Sequence, residues 1–127
     1  GSWAVLSDAR AKVDIEPMRG TLDRLLQLHG YTFRYTDEAL AQGGGLPGMH
    51  LGLMAQEVRE VFPEWVVPDE HGRLTVTERA TTALMVEALR DLRTEKDEQI
   101  AKRDAEIAEL KARLERLEKA LTPASVP

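Results

Sequence analysis

One serine and one lysine are set apart by their rarity in the first three quarters of the chain. Between residues 3 and 95 the only serine is Ser7 and the only lysine is Lys12, while nine arginines supply the other strong cations. Burial can turn a lysine, unlike an arginine, into a neutral amine, and a neutral amine can take the proton of a serine hydroxyl. The two residues therefore have the composition of a Ser–Lys nucleophilic dyad. An N-cap serine followed by an exposed lysine fits the same residues.

The spacing of the two residues restricts how they can meet. A separation of five residues is about 140° out of phase on an α-helix, and it places side chains on opposite faces of a β-strand. One regular element therefore cannot join Ser7 to Lys12. The dyad requires a break in the backbone between them or a lysine from a neighbouring chain.

The elements that must position these residues are predicted to form a compact α+β head over residues 7–83. Pro17 is expected to begin a helix that ends at Gly30. Four apolar residues are predicted to form the buried stripe of this helix: Met18, Leu22, Leu25 and Leu26. Aromatic residues alternate with polar ones from Tyr31 to Tyr35, which indicates a half-buried strand.

The rest of the head is predicted to contain one loop, one strand, one helix and one hairpin. Residues 36–49, which include three consecutive glycines, are expected to form a flexible loop. A short strand at 51–53 precedes a helix at 55–62 that Pro63 stops. Apolar runs at 65–67 and 74–76 flank a four-residue turn and predict a β-hairpin.

A long helix is predicted over residues 84–121, where there is no glycine, proline or aromatic residue and about half of the residues are charged. At about 1.5 Å per residue it is roughly 57 Å long. Residues 122–127 are expected to be a frayed tail. Apolar residues at alternating spacings of three and four form a heptad seam, which extends back through a four-residue stutter. The seam consists of Leu89, Leu92, Ile100, Ile107, Leu110, Leu114, Leu117 and Leu121.

The seam predicts a coiled coil of identical chains. Ile at a with Leu at d is compatible with a dimer, whereas Leu at two later a positions favours a higher order, and a second pattern favours three strands. Arg113 and Glu118 bracket an Arg-apolar-x-x-apolar-Glu pattern that is known from three-stranded coiled coils. A lone amphipathic helix folded back on its own head is the alternative, but the seam is narrow for that arrangement.

Composition excludes several classes of protein. A formal charge of −5 argues against a nucleic-acid module, and the absence of cysteine excludes disulfides and thiolate metal sites. We expect no metal, no cofactor and no small-molecule substrate, and neither a membrane span nor a secretory leader. Residues 1–6 are expected to be a tag remnant, Gly1-Ser2, followed by the end of an upstream stalk.

Three stretches resemble one known family. The first is Ser7-Asp8-Ala9-Arg10-Ala11-Lys12, which is similar to the Ser-Asp-x-Arg-x-Lys opening of the intramolecular chaperone of endosialidase family. Residues 52–64 resemble that family's Gly-x-Ile-Ala-Gln-Glu-Val…Phe-Pro-Glu core, and residues 84–92 resemble its leucine-rich lead into a terminal coiled coil. The opening pattern is also similar to that of the cleavage domain of myelin regulatory factor. At Thr77 and Glu78 the chain lacks the aromatic residue that is usual in the family, which we interpret as a packing change.

The resemblance implies a self-cleaving C-terminal domain that trimerises a phage tail spike, a tail fibre or a surface protein. It implies that Ser7 is the nucleophile, that Lys12 is its general base and that the bond between Leu6 and Ser7 is cut. The compartment would be a virion tail, or the cytoplasm or surface of a bacterium during assembly. A permanent, non-cleaving trimerisation cap is the alternative function, and it differs only at Ser7.

Four further residues are candidates for supporting roles. Asp8 belongs to the opening motif, and Arg10 either repels the charge of Lys12 or pairs with an acidic residue, Asp14 or Glu16. Gln56 and Glu57 belong to the core motif; they either contribute to the site, Gln56 as an oxyanion donor, or only cap and pack a short helix.

Overall fold

The fold consists of two small antiparallel hairpins and three short helices, followed by one long helix. A computed structural model of the chain describes residues 4–78 and 80–122. The predicted tag remnant Gly1-Ser2 and the predicted frayed tail from residue 123 onward lie outside these ranges. The helices are α1 (Thr21–Leu25), α2 (Asp37–Ala41), α3 (Ala55–Val61) and α4 (Thr81–Leu121). The strands are β1 (Tyr31–Phe33), β2 (His50–Gly52), β3 (Val66–Pro68) and β4 (Leu74–Val76). The predicted α+β class is confirmed.

Each hairpin is a separate two-stranded sheet. In the first, β1 pairs antiparallel with β2, and Tyr31 lies opposite Gly52. In the second, β3 pairs with β4 across the predicted turn, and Val66 lies opposite Val76. The second hairpin was predicted from the sequence, but the pairing of β1 with β2 was not, because a long connection separates these strands.

The first helix is shorter than the sequence predicted. It begins at Thr21 rather than near Pro17, after Gly20 adopts a left-handed φ of 65° as its N-cap. Leu22 lies within this five-residue helix and is buried. Leu26 follows the last residue of the helix and is 67% exposed. The predicted stripe is therefore wrong at Leu26 and also at Met18, which precedes the helix and is exposed.

The predicted loop at 36–49 contains a helix. Thr36 caps the N-terminus of α2, since its hydroxyl accepts a hydrogen bond of 3.1 Å from the backbone N–H of Ala39. Gly43, with a φ of 73°, ends the helix in a Schellman motif: its N–H donates to Leu40, and the N–H of Gly44 donates to Ala39. Part of this segment is thus ordered helix rather than loop.

The core lies between α3 and the start of α4. Its buried members are Val58, Phe62, Trp65 and Leu84. The Phe62 and Trp65 rings stack with centroids 4.3 Å apart, and the Arg24 guanidinium lies 4.4 Å from the centre of the Phe62 ring. Pro63 begins a 3₁₀ turn over Pro63–Trp65, which ends α3 as predicted and turns Trp65 into the core.

The chain divides into two compact units, one that extends to Ala88 and one that begins at Leu89. The first contains both hairpins and the core. In the second, the apolar residues of α4 from Leu89 to Leu121 are exposed in the single chain. None of the helices formed by residues 4–78 and 80–122 is long and apolar enough to cross a membrane.

Candidate active site

A short turn separates Ser7 from Lys12. Residues Ala9–Ala11 form a 3₁₀ turn whose N-cap is Asp8, with the Asp8 carboxylate accepting a 2.8 Å hydrogen bond from the Arg10 N–H. The N–H of Lys12 closes the turn on the carbonyl of Ala9 at 3.1 Å, and Lys12 itself is extended, with φ −121° and ψ 146°. The turn is the break in regular backbone that the spacing of the two residues required.

The turn brings the lysine amine onto the serine hydroxyl. Lys12 Nζ lies 2.8 Å from Ser7 Oγ, within hydrogen-bond distance. Both residues belong to the same chain, so this contact does not need a lysine from a neighbour. Leu6, whose carbonyl precedes Ser7, is 76% exposed. The Ser7 hydroxyl, the Lys12 amine and the Leu6 carbonyl therefore lie within a segment of seven residues.

Asp8 and Arg10 pair with each other. Arg10 Nη2 lies 2.7 Å from Asp8 Oδ2, and Arg10 Nε donates to the same carboxylate. The side-chain hydrogen bonds from Arg10, together with its backbone N–H, lower the pKa of Asp8, and the same pairing raises the pKa of Arg10. Arg10 thus contacts neither Asp14 nor Glu16. Its side chain holds Asp8, the cap of the turn.

The dyad is open to solvent. Every residue from 4 to 20 is exposed in the single chain. The segment carries Ser7 and Lys12, but no element formed by residues 4–78 and 80–122 encloses them or donates a hydrogen bond to the carbonyl of Leu6. The hydroxyl and the amine are therefore close together at a site that is not enclosed in the single chain.

Gln56 and Glu57 lie in the first turn of α3 and contact other parts of the head. Glu57 Oε1 accepts a 2.6 Å hydrogen bond from the Tyr31 hydroxyl. This hydrogen bond raises the pKa of Tyr31, because it stabilises the protonated phenol and places a negative charge beside it. Glu57 Oε2 is buried and has no hydrogen-bond partner among the described residues. Gln56 lines a cleft that also includes Gly43 and Gly44.

The same cleft contains a charged pair, Asp69 and Arg73, that was not predicted from the sequence. Arg73 Nη2 lies 3.0 Å from Asp69 Oδ2, and the N–H groups of His71 and Arg73 donate to Asp69 Oδ1. Burial opposes ionisation of Asp69, but these hydrogen bonds outweigh it and lower the pKa of Asp69. The sequence pattern that could have predicted this pair is the Asp-x-x-x-Arg spacing across the turn. The pair fixes the β3–β4 turn.

The predicted trimerisation residues all lie on α4. Arg113 and Glu118 are exposed along with the eight apolar seam residues. The seam residues therefore have, in a single chain, the exposure that a helix–helix interface requires.

The comparison with protein families agrees with this geometry. The chain combines a Ser–Lys pair on an exposed turn, an α+β head and a long helix with heptad spacing. Residues 7–67 match the family described as chaperone of endosialidase, the same family that the sequence motifs resemble. The resemblance found in the sequence is thus confirmed for its first two motifs, while the third, at 84–92, lies outside the matched region. No curated protein matches the chain.

Proposed function

We propose that this chaperone domain trimerises a fibrous protein attached to its N-terminus and then releases itself by cutting between Leu6 and Ser7. The client would be a tail spike, tail fibre or surface protein. The observation that supports the proposal most directly is the 2.8 Å distance from Lys12 Nζ to Ser7 Oγ, next to the carbonyl of Leu6.

The chemistry needs no group beyond these residues and water. Ser7 Oγ attacks the carbonyl carbon of Leu6 while the neutral amine of Lys12 takes the hydroxyl proton. The bond from that carbon to the Ser7 nitrogen breaks, and the nitrogen takes up a proton as it leaves. The Leu6 acyl group is then an ester on Ser7 Oγ. Water hydrolyses the ester, which leaves a carboxylate on Leu6 and a free Ser7 N-terminus.

Exposure of the dyad in one chain supports cutting that is conditional on assembly. Contact with water favours the ammonium form of a lysine, and burial favours the amine form that can act as a base. Because residues 4–20 are exposed in one chain, neighbouring copies would have to cover the dyad before Lys12 could deprotonate Ser7. The domain would then leave only after its client had trimerised.

The exposed apolar seam of α4 supports the assembly step. Burial of apolar surface contributes about 25 cal/mol per Å², and an obligate interface of a few thousand Å² outweighs the entropy lost on association. Arg113 and Glu118 would pair between neighbouring helices and favour three strands over two.

Intact mass spectrometry tests the cut on a chain that continues upstream into its native sequence. We expect a product that begins at Ser7 in the unchanged protein and none in Ser7→Ala. Hydroxylamine should increase the yield and leave an N-terminal fragment that ends in a hydroxamate at Leu6, since it captures an ester but not an amide. A trimer that stays full-length throughout would support the permanent, non-cleaving cap instead.

A further inference from the structure

An apolar groove opens on the surface of the head. Its walls come from α1 and the residues after it, from β2 and from the first turns of α4, and it has a volume of about 590 Å³. Half of its twelve lining residues are large and apolar: Leu25, Leu28, Leu51, Leu53, Trp65 and Met85. Leu51 is 81% exposed and Met85 is 54% exposed, so the groove is open in the single chain.

The same chain carries an exposed apolar segment. Between the dyad and α1, Val13 is 85% exposed and Ile15 is 68% exposed, and Met18 is also exposed. Exposed apolar patches mark interaction sites, and a chain with both an exposed apolar segment and an open apolar groove can cover both by joining the two.

Charge supports the same pairing. Glu78 is the charged residue in the groove lining, and among the described residues its side chain accepts one hydrogen bond, a 3.5 Å contact from the Thr81 hydroxyl. Arg19 follows Met18 directly, and no described residue forms a hydrogen bond or ion pair with it. With Met18 in the groove, Arg19 would lie at the edge that Glu78 occupies.

We infer that residues 13–19 of one copy bind in the apolar groove of a second copy, an inference that rests on the proposed trimer. Within a single chain the segment leaves its own groove open, although it joins α1 directly at Gly20. In copies that are held together through α4, the segment of one copy would be present at the groove of another at an effective concentration of about a millimolar. Even a weak contact in the groove would then be occupied. Because Lys12 immediately precedes the segment, its docking would carry the dyad against the neighbouring copy and couple assembly to cleavage.

The absence of cysteine allows a direct test by cross-linking. A protein with both Ile15→Cys and Met85→Cys is treated with a short bis-maleimide and separated on a denaturing gel. We expect linked dimers and trimers. The matched control combines Ile15→Cys with Val67→Cys, because Val67 is half exposed on β3 and outside the groove; it should remain unlinked.

The source of each linked cysteine is checked by refolding two single-cysteine chains of different tag length together. A mixed dimer of Ile15→Cys with Met85→Cys supports docking between copies. A monomer linked within itself in the double variant would mean that the segment fills its own groove, which would overturn the inference.

Sedimentation of the same samples separates this inference from the proposed function. A trimer without the Ile15–Met85 link overturns the docking alone, whereas a single copy at micromolar concentration overturns the trimer and the docking together. In a chain that does trimerise, Ile15→Asp should raise the concentration at which it dissociates by about tenfold or more, from the loss of one buried apolar side chain. The matched change Val5→Asp, at a side chain that is also exposed but precedes the dyad, should leave that concentration unchanged.

Discussion

At the residue scale, the contact between Lys12 and Ser7 depends on the backbone between them. Asp8 caps the 3₁₀ turn through its carboxylate, and Arg10 holds that carboxylate from the side. The pKa of Asp8 is lowered by this pairing, so its carboxylate keeps its charge as the pH falls toward the ordinary value of an aspartate. The turn is therefore fixed by a charged pair that takes no part in the bond changes.

The role of Lys12 is tested by Lys12→Met and Lys12→Arg. The first removes the amine, and the second replaces it with a group that stays protonated, so neither variant can take the proton of Ser7. We expect both to assemble and to remain uncut on intact mass spectrometry. Normal cutting in either variant would contradict the assignment of Lys12 as the base.

The pair of Tyr31 and Glu57 gives a pH-dependent prediction. Because the pKa of Tyr31 is raised in the folded chain, its hydrogen bond stabilises the fold fully below the unfolded value near 10, and this stabilisation is lost as the pH rises through the higher folded value. The chain has two tyrosines, so a Tyr35→Phe background makes the ultraviolet titration report Tyr31 alone.

In that background we expect the folded chain to titrate at higher pH than the same chain in urea. Adding Glu57→Gln should reduce the difference, because it removes the negative charge next to the phenol. An unchanged difference would show that Glu57 is not the cause of the shift.

At the element scale, the Gly-rich segment ends α2 through a backbone conformation that side chains disfavour. Gly43 has a left-handed φ, so Gly43→Ala should lower the free energy of unfolding by about 1 kcal/mol. The matched change Gly30→Ala, at a glycine without a left-handed φ and with nothing within 4 Å of an added Cβ, should alter it by less than about 0.5 kcal/mol. Equal effects in urea denaturation would contradict the Schellman assignment.

The core depends on aromatic packing between α3 and the turn that follows it. Phe62 is 2% exposed and stacks on Trp65, so Phe62→Ala should lower the free energy of unfolding by about 3–5 kcal/mol. Leu26→Ala should lower it by less than about 0.5 kcal/mol at the same protein concentration, because Leu26 lies outside the core. A large effect at Leu26 would instead support the longer buried stripe that the sequence suggested.

At the scale of the whole molecule, α4 offers a matched pair of substitutions. Leu114 lies at an a position of the heptad seam and Ala112 at an outward f position, and both side chains are exposed in one chain. Leu114→Asp should shift sedimentation from three copies toward one and reduce the helical circular dichroism signal, since an isolated helix of this composition is only marginally stable. Ala112→Asp should change neither measurement. Similar effects of the two changes would show that α4 does not associate through this seam.

Local patterns predicted the elements whose signals lie within a few residues. The charged heptads of α4, the Pro63 stop after α3 and the turn between β3 and β4 are signals of this kind, and the structure has all three within a few residues of the predicted bounds. The short helix α2 was missed, although Thr36 and Gly43 mark its two ends, because five residues are too few to show a helical period.

By itself, the sequence determined the rare serine and lysine, the family motif around them and the long helix with its apolar seam, because composition, motif and heptad spacing are all properties of neighbouring residues. Only the tertiary structure decided that β1 pairs with β2, that Tyr31 donates to Glu57, and that an open apolar groove lies on a head whose N-terminal segment is also uncovered. These features join residues far apart in the chain, and which of them meet depends on how the whole head packs.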